Sequence, residues 1–137
     1  MRLKSIQLKH IHLTEEEEIE KAEEIRDNLV IGAEIISSFD TLNSETDYEE
    51  LYKQLENIPG INTVWRMKYY HLLFPTLLAP FYEQDIQLKV LHFLKQNPSS
   101  IPFIRMGQIA LFIKKCNIPG IVFDHIWGKY ANDANTV

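Results

Sequence analysis

The most restrictive feature of the sequence is a helix start signal at residue 14 that opens a long apolar stripe. Glu17 follows Thr14 at the spacing of a capping box, and the run EEEE places negative charge at the positive end of the helix dipole. Apolar residues then recur every three or four positions, at Ile19, Ala22, Ile25, Leu29, Ala33 and Ile36. The pattern predicts a long helix that ends near residues 37–39, with Gly32 as its weakest interior position.

Proline, glycine and asparagine divide the remaining chain into further helix-length segments. The predicted helices cover residues 48–58, about 61–73, 83–96, about 102–116 and 121–130. Asp47 or Thr46 is the expected cap of the first of these. The pentapeptide NIPGI occurs twice, and we interpret both copies as the same turn, with a duplicated unit as the alternative. The apolar stretch TLLAPFY is expected to lie across the core.

These segments predict an all-α fold, a compact bundle of five to six helices. Residues 1–13 are expected to form an N-terminal arm or short strand, residues 14–130 a single helical domain, and residues 131–137 a flexible tail. His10 and His12 share one face of such a strand, but no third ligand lies nearby, so no metal site is expected. The expected core comprises Ile25, Leu29, Leu51, Leu55, Trp65, Leu72, Phe74, Phe81, Leu91, Leu94, Ile109, Phe112 and Trp127.

Charge divides the chain into an acidic and a basic half. Residues 1–60 carry six Lys or Arg against fifteen Asp or Glu, whereas residues 61–130 carry eight against three. The simpler explanation of this asymmetry is a solvated acidic helix face, and the alternative is a protein with one face toward nucleic acid. No apolar run approaches the roughly 18–20 residues of a membrane span, and no secretory signal is evident. A cytoplasmic location without a membrane partner is therefore expected.

The sequence lacks the local devices of nucleotide or zinc chemistry, since it holds no GxxxxGK[ST], GxGxxG or HExxH motif. Cys116 with His125 is a weak candidate for a nucleophile and base, so we expect no enzyme and no cofactor. The best chemical hypothesis is DNA contact through basic and polar side chains of the second half, with aromatic rings for stacking. The DNA-binding candidates are Arg66, Lys68, Lys89, Lys95, Arg105, Gln108, Lys114 and Lys115, and Trp65, Tyr69 and Trp127 are candidates for an aromatic pocket.

Several short segments of the second half carry a family resemblance. They are NIPGI, W-x-x-KYYHLLFP, the triplet PFY, RMGQIALF and the closing VFDHIWGKY. Together, over residues 57–130, they resemble the helical region upstream of the motor domain in McrB-like restriction proteins, the nucleotide-driven subunits of modified-cytosine-dependent restriction systems. The resemblance implies a bacterial anti-phage defence context. It does not carry over GTP or ATP hydrolysis, because none of the phosphate-binding residues is present.

Two hypotheses follow for the function. The first is a non-catalytic helical module of a DNA-restriction type protein that serves DNA targeting or subunit coupling, with double-stranded DNA and protein subunits of a restriction complex as partners. The alternative is a stand-alone protein–protein interaction or adaptor domain without nucleic-acid contact. It would dock its partner through the acidic helix or the basic half. The two differ in salt dependence, because phosphate-driven binding weakens steeply as salt rises.

Overall fold

Residues 13–136 form six α-helices and no strand. The computed structural model describes the backbone of these residues and the side chains of residues 13–130. The helices are α1 (Glu15–Ser37), α2 (Glu45–Leu55), α3 (Val64–Leu73), α4 (Gln84–Phe93), α5 (Pro102–Cys116) and α6 (Gly120–Thr136). The all-α bundle is thus confirmed. The expected arm or strand, with His10 and His12, lies outside the described residues apart from Leu13.

The first two helices begin at side-chain caps. The Thr14 hydroxyl accepts a hydrogen bond from the Glu17 amide at 3.1 Å, as the capping-box spacing predicts. The predicted cap of α2 is wrong, because the helix already begins at Glu45 and its cap is Ser44. There the Ser44 hydroxyl accepts from the Asp47 amide, and the Asp47 carboxylate accepts from the Asn43 amide at 2.8 Å. Asp47 therefore completes the cap from inside the first turn.

The two NIPGI segments adopt different backbone conformations, so their interpretation as one turn is wrong. In the first copy Gly60 has φ +75°, and α3 begins only after Thr63. In the second copy Asn117 has φ +55° and ends α5, while Gly120 already belongs to α6. Asparagine and glycine both tolerate the left-handed region, so the same five residues permit either solution. The final helix also continues through residues 131–136, where a tail was expected.

Helix α5 is the element on which the two parts of the core meet. Its Phe103 and Met106 pack with α1, α2 and α3, whereas Ile109 and Ile113 pack with α4 and Phe123 of α6. Nine of its fifteen residues are buried. Gly107 allows this close packing, because a Cβ there would lie only 2.3 Å from a ring carbon of Tyr48 on α2.

The connection between α3 and α4 lies across the core, as the apolar stretch TLLAPFY predicts. Leu78 and Ala79 are buried. Two hydrogen bonds to its backbone fix its path: the Tyr48 hydroxyl donates to the Leu77 carbonyl at 2.5 Å, and Nδ1 of His71 donates to the Leu78 carbonyl at 2.6 Å. Side chains of two helices thus satisfy carbonyl groups that would otherwise be buried without a partner.

Helix α3 packs through a different face from the one expected. Met67 and Tyr70 are buried, whereas Trp65 is 48% exposed and Leu72 is 66% exposed. The Tyr70 hydroxyl reaches across Gly32 and donates to a carbonyl of α1, which fixes the rotation of α3 about its axis. The expectation that Trp65 and Leu72 belong to the core is therefore wrong. Of the other expected core residues, Leu51, Leu55, Phe81, Leu91 and Ile109 are buried, and Ile25, Leu29, Phe74, Leu94, Phe112 and Trp127 are half-buried.

Candidate functional site

Three of the residues predicted to contact DNA are buried inside the bundle. Arg66 is 3% exposed, Arg105 is 4% exposed and Gln108 is 7% exposed. The sequence pattern of α5 predicts Arg105 and Gln108 on its more exposed side, and their burial shows that this prediction is wrong. A side chain at this depth does not meet the phosphate backbone of a duplex, which runs over the protein surface.

Arg105 and Gln108 instead hold the connection between α4 and α5. The Arg105 guanidinium donates from Nε to the Gln87 side-chain oxygen at 2.8 Å and from Nη1 to the Ser99 carbonyl at 2.9 Å. Gln108 accepts from the Ser99 amide at 2.9 Å and donates to the Glu45 carboxylate. Burial lowers the pKa of Arg105. Gln87, the buried partner of Arg105, is not among the residues that the sequence singles out. A glutamine in a helix is usually exposed, so its sequence neighbours give no sign that it is buried.

The five candidate lysines are exposed, at Lys68, Lys89, Lys95, Lys114 and Lys115. The ion pairs among the described residues join Lys21 to Glu24, Arg26 to Asp27 and Lys53 to Glu50, all within the acidic half. No pair within residues 13–130 therefore joins a lysine of the basic half to a carboxylate.

A cavity of about 480 Å³ lies beside the carboxyl end of α5. Lys114, Lys115 and Gln108 line it, together with Gln96 and residues 43–45 of the loop before α2. Nζ of Lys114 donates to the Asn43 side chain at 2.6 Å, so this lysine is partly engaged. Three of the predicted DNA-binding residues thus lie around one cavity, whereas Lys68 and Lys89 are not among its lining residues.

The predicted aromatic pocket is divided between two helices. Trp127 of α6 packs against the tilted rings of Phe93 and Tyr130, at centroid distances of 5.7 Å for each pair. Trp65 lies against the Arg66 guanidinium, with 5.0 Å from Cζ to the ring centroid. No aromatic contact among the described residues joins Trp127 to Trp65 or Tyr69, and neither Trp65 nor Tyr69 lines the two cavities found beside α5.

Helix α3 instead presents an exposed apolar face, which we call the α3 outer face and define as Trp65, Tyr69, Leu72 and Leu73. These side chains are between 39% and 66% exposed and follow the helical spacing of one stripe. Lys68 lies on the same side of the helix. Lys68 is the exposed cation of α3, and the segment from residue 57 to residue 82 contains no Asp or Glu.

The sequence could not reveal this face, because apolar and aromatic residues occur all around α3. Its hydrophobic periodicity is weak, so the pattern does not show which side is buried. The contact between Tyr70 and α1 at Gly32 determines which side of α3 is buried, and it joins residues that are far apart in the sequence.

The amino-terminal part of α1 has the opposite character. All residues from 15 to 24 are exposed, and seven of them are Glu against one Lys. Ile19 is 53% exposed and belongs to neither cluster of the core. The acidic stretch is therefore a solvated helix face, as the simpler explanation of the charge pattern predicts.

Comparison of the chain with protein-family models, with curated proteins and with solved structures finds no match. The resemblance to McrB-like restriction proteins therefore stays a prediction. Among the helices of the described residues, none combines the length and apolar character that crossing a bilayer requires. Within the same residues, no three His, Cys, Asp or Glu side chains come together as a metal site would need.

Proposed function

We propose that this protein is a non-catalytic docking module that binds an acidic, amphipathic helical segment of a partner protein through the α3 outer face. The observation that carries the proposal is the exposure of Trp65, Tyr69, Leu72 and Leu73 as one continuous stripe. Single exposed apolar residues are ordinary, but a contiguous apolar patch is typical of an interaction site.

The chemistry of the partner follows from the charge around this stripe. Lys68 lies on the same side of the helix, and no carboxylate occurs between residues 57 and 82. An apolar stripe flanked by positive charge is complementary to a helix with apolar residues on one side and Glu or Asp beside them. In the context that the resemblance predicts, this role is subunit coupling within a bacterial DNA-defence complex located in the cytoplasm.

A direct test uses a synthetic, labelled peptide of about 20 residues, long enough to form a helix, with leucine on one face and glutamate beside it. Fluorescence anisotropy measures its affinity for the unchanged protein and for Leu72→Ala. Docking buries the exposed two thirds of Leu72, worth roughly 1–2 kcal/mol, so the dissociation constant should rise about five- to thirtyfold.

Ile121→Ala is the matched control, because Ile121 is 70% exposed on α6 and lies outside the α3 outer face. It should leave the affinity of the peptide unchanged. Equal losses for the two variants, or no binding of the peptide to the unchanged protein, would count against the docking function.

Direct contact with double-stranded DNA is the second candidate, and the grouping of Lys114, Lys115 and Gln96 around one cavity favours it. Titration of methylated and unmethylated duplexes at low and moderate salt tests this. Phosphate contact predicts binding that weakens with salt, and the double variant Lys114→Ala, Lys115→Ala should lower the salt slope by about 2. A slope that the substitutions leave unchanged would exclude these lysines as the phosphate contacts.

A further inference from the structure

Arg66 occupies a position where a positive charge is costly. Its side chain is 3% exposed, and its Nε and Nη1 atoms are buried without a hydrogen-bond partner. No acceptor among the described residues serves these two atoms. Because a buried charge loses its hydration, an unpaired guanidinium destabilises the folded protein unless another group supplies the missing acceptor.

No carboxylate among residues 13–130 forms an ion pair with Arg66. On one side the ring of Trp65 lies 5.0 Å from the guanidinium carbon, and on another a Cβ at Gly60 would lie 3.9 Å from Nη2. Tyr70 is also adjacent, since the positive charge of Arg66 opposes the rise that burial causes in the pKa of Tyr70. The Tyr70 hydroxyl hydrogen itself goes to the Leu29 carbonyl at 3.1 Å.

The position of Arg66 in its helix adds to this imbalance. It lies in the first turn of α3, where the helix dipole already contributes positive charge, and the cap residue Thr63 makes no side-chain hydrogen bond to the helix. The Thr63 hydroxyl instead donates a hydrogen bond to the Gly60 carbonyl at 2.7 Å. A negative group that approaches this end of α3 is therefore favoured by both the guanidinium and the dipole.

We infer that Arg66 is an anion-binding anchor behind Trp65 of the α3 outer face and pairs with a carboxylate of the docked partner helix when the half-exposed ring of Trp65 turns aside. The inference rests on the proposed docking function and names the group that would fix the register of the partner. A carboxylate at the end of a Glu or Asp side chain fits better than a duplex phosphate, because a guanidinium that is 3% exposed lies deeper than the hydrated backbone of a duplex reaches.

The test begins with Arg66→Met, which keeps much of the side-chain volume and removes the charge. Because the charge is uncompensated in the free protein, this variant should raise the melting temperature by at least about 2 °C. The same variant should weaken binding of the glutamate-bearing peptide at least tenfold. Lys68→Met is the control: it removes an exposed charge from the same helix and should leave the melting temperature unchanged, with a smaller, salt-sensitive loss of binding.

A peptide series then tests the pairing itself. Each glutamate of the peptide is replaced in turn by glutamine, and both the unchanged protein and Arg66→Met are titrated with every peptide. One replacement should weaken binding to the unchanged protein at least tenfold and have little effect on binding to Arg66→Met, since the pair is then already broken.

The outcomes separate this inference from the docking function. A fall in melting temperature for Arg66→Met would make Arg66 a structural residue and overturn the inference. Glutamine replacements with equal effects on both proteins would also overturn it, and the docking function would still stand if Leu72→Ala weakens binding. Absence of peptide binding to the unchanged protein would overturn both proposals.

Discussion

Replacement of Gly32 by alanine should destabilise the protein, although the same change inside an exposed helix is stabilising. Gly32 lies in the interior of α1, where alanine normally improves helix stability by about 0.5–1 kcal/mol. In this fold, however, a Cβ at position 32 would lie 1.9 Å from the hydroxyl oxygen of Tyr70 and 2.7 Å from the ring carbon that carries it. The two helices touch at this glycine.

The size of the effect follows from how little Tyr70 can move. Its side chain is fully buried, and its hydroxyl donates to the Leu29 carbonyl at 3.1 Å. Overpacking of this kind costs about 1–3 kcal/mol, and loss of the hydrogen bond adds about 0.5–1.5 kcal/mol. After the gain in helix propensity, Gly32→Ala should lower the free energy of unfolding by about 1–3 kcal/mol.

Urea denaturation followed by circular dichroism gives the free energy of unfolding for each variant. Gly128→Ala is the matched control, because Gly128 lies inside α6 and no side chain among residues 13–130 comes within 4 Å of the added Cβ, so the change should be neutral or stabilising. Tyr70→Phe removes the closest atom and should partly rescue Gly32→Ala, so that the double variant is more stable than the sum of the single effects. Stabilisation by Gly32→Ala, or strict additivity, would refute the close packing of α1 on α3.

Three further predictions concern the core and its polar groups. Leu51→Ala should lower the free energy of unfolding by about 2–5 kcal/mol because Leu51 is fully buried, whereas Leu72→Ala should lower it by less than about 0.5 kcal/mol. Similar losses for the two variants in urea denaturation would contradict the orientation of α3. Arg105→Ala should cost about 2–4 kcal/mol because it leaves buried hydrogen-bonding groups without a partner, and an unchanged denaturation midpoint would contradict this role. Burial raises the pKa of the Tyr48 hydroxyl above its ordinary value of 10.0. The neutral hydroxyl therefore stabilises the folded protein fully below pH 10, and this stabilisation is lost as the pH rises further. Tyr48→Phe should therefore flatten the alkaline fall in melting temperature, and a slope equal to that of the unchanged protein would oppose this.

The sequence predicts the helices of this protein well because their signals are local. The cap at Thr14 and the bounds of α5 at Pro102 and Cys116 depend on neighbours within one or two turns. The predicted cap of α2 is wrong for an equally local reason. Ser44 and Asp47 are both good capping residues, and only the hydrogen bonds of the structure show that Ser44 is the cap.

The candidate site was much harder to predict, because burial is decided by contacts between distant residues. Arg66 and Arg105 look like surface residues in a basic half, yet the packing of their helices places both inside. Trp65 and Leu72 look like core residues, yet the contact of Tyr70 with α1 turns them outward. In a helix with apolar residues on every side, no local pattern distinguishes the inner face from the outer one.

The most direct test of the docking account is a map of backbone amide shifts by nuclear magnetic resonance during titration with the glutamate-bearing peptide. The account predicts that the largest changes occur along α3, at residues 64–73, and that Leu72→Ala weakens them while Ile121→Ala does not. Changes confined to the lysines near the end of α5, or changes on α3 that appear only with duplex DNA, would contradict it.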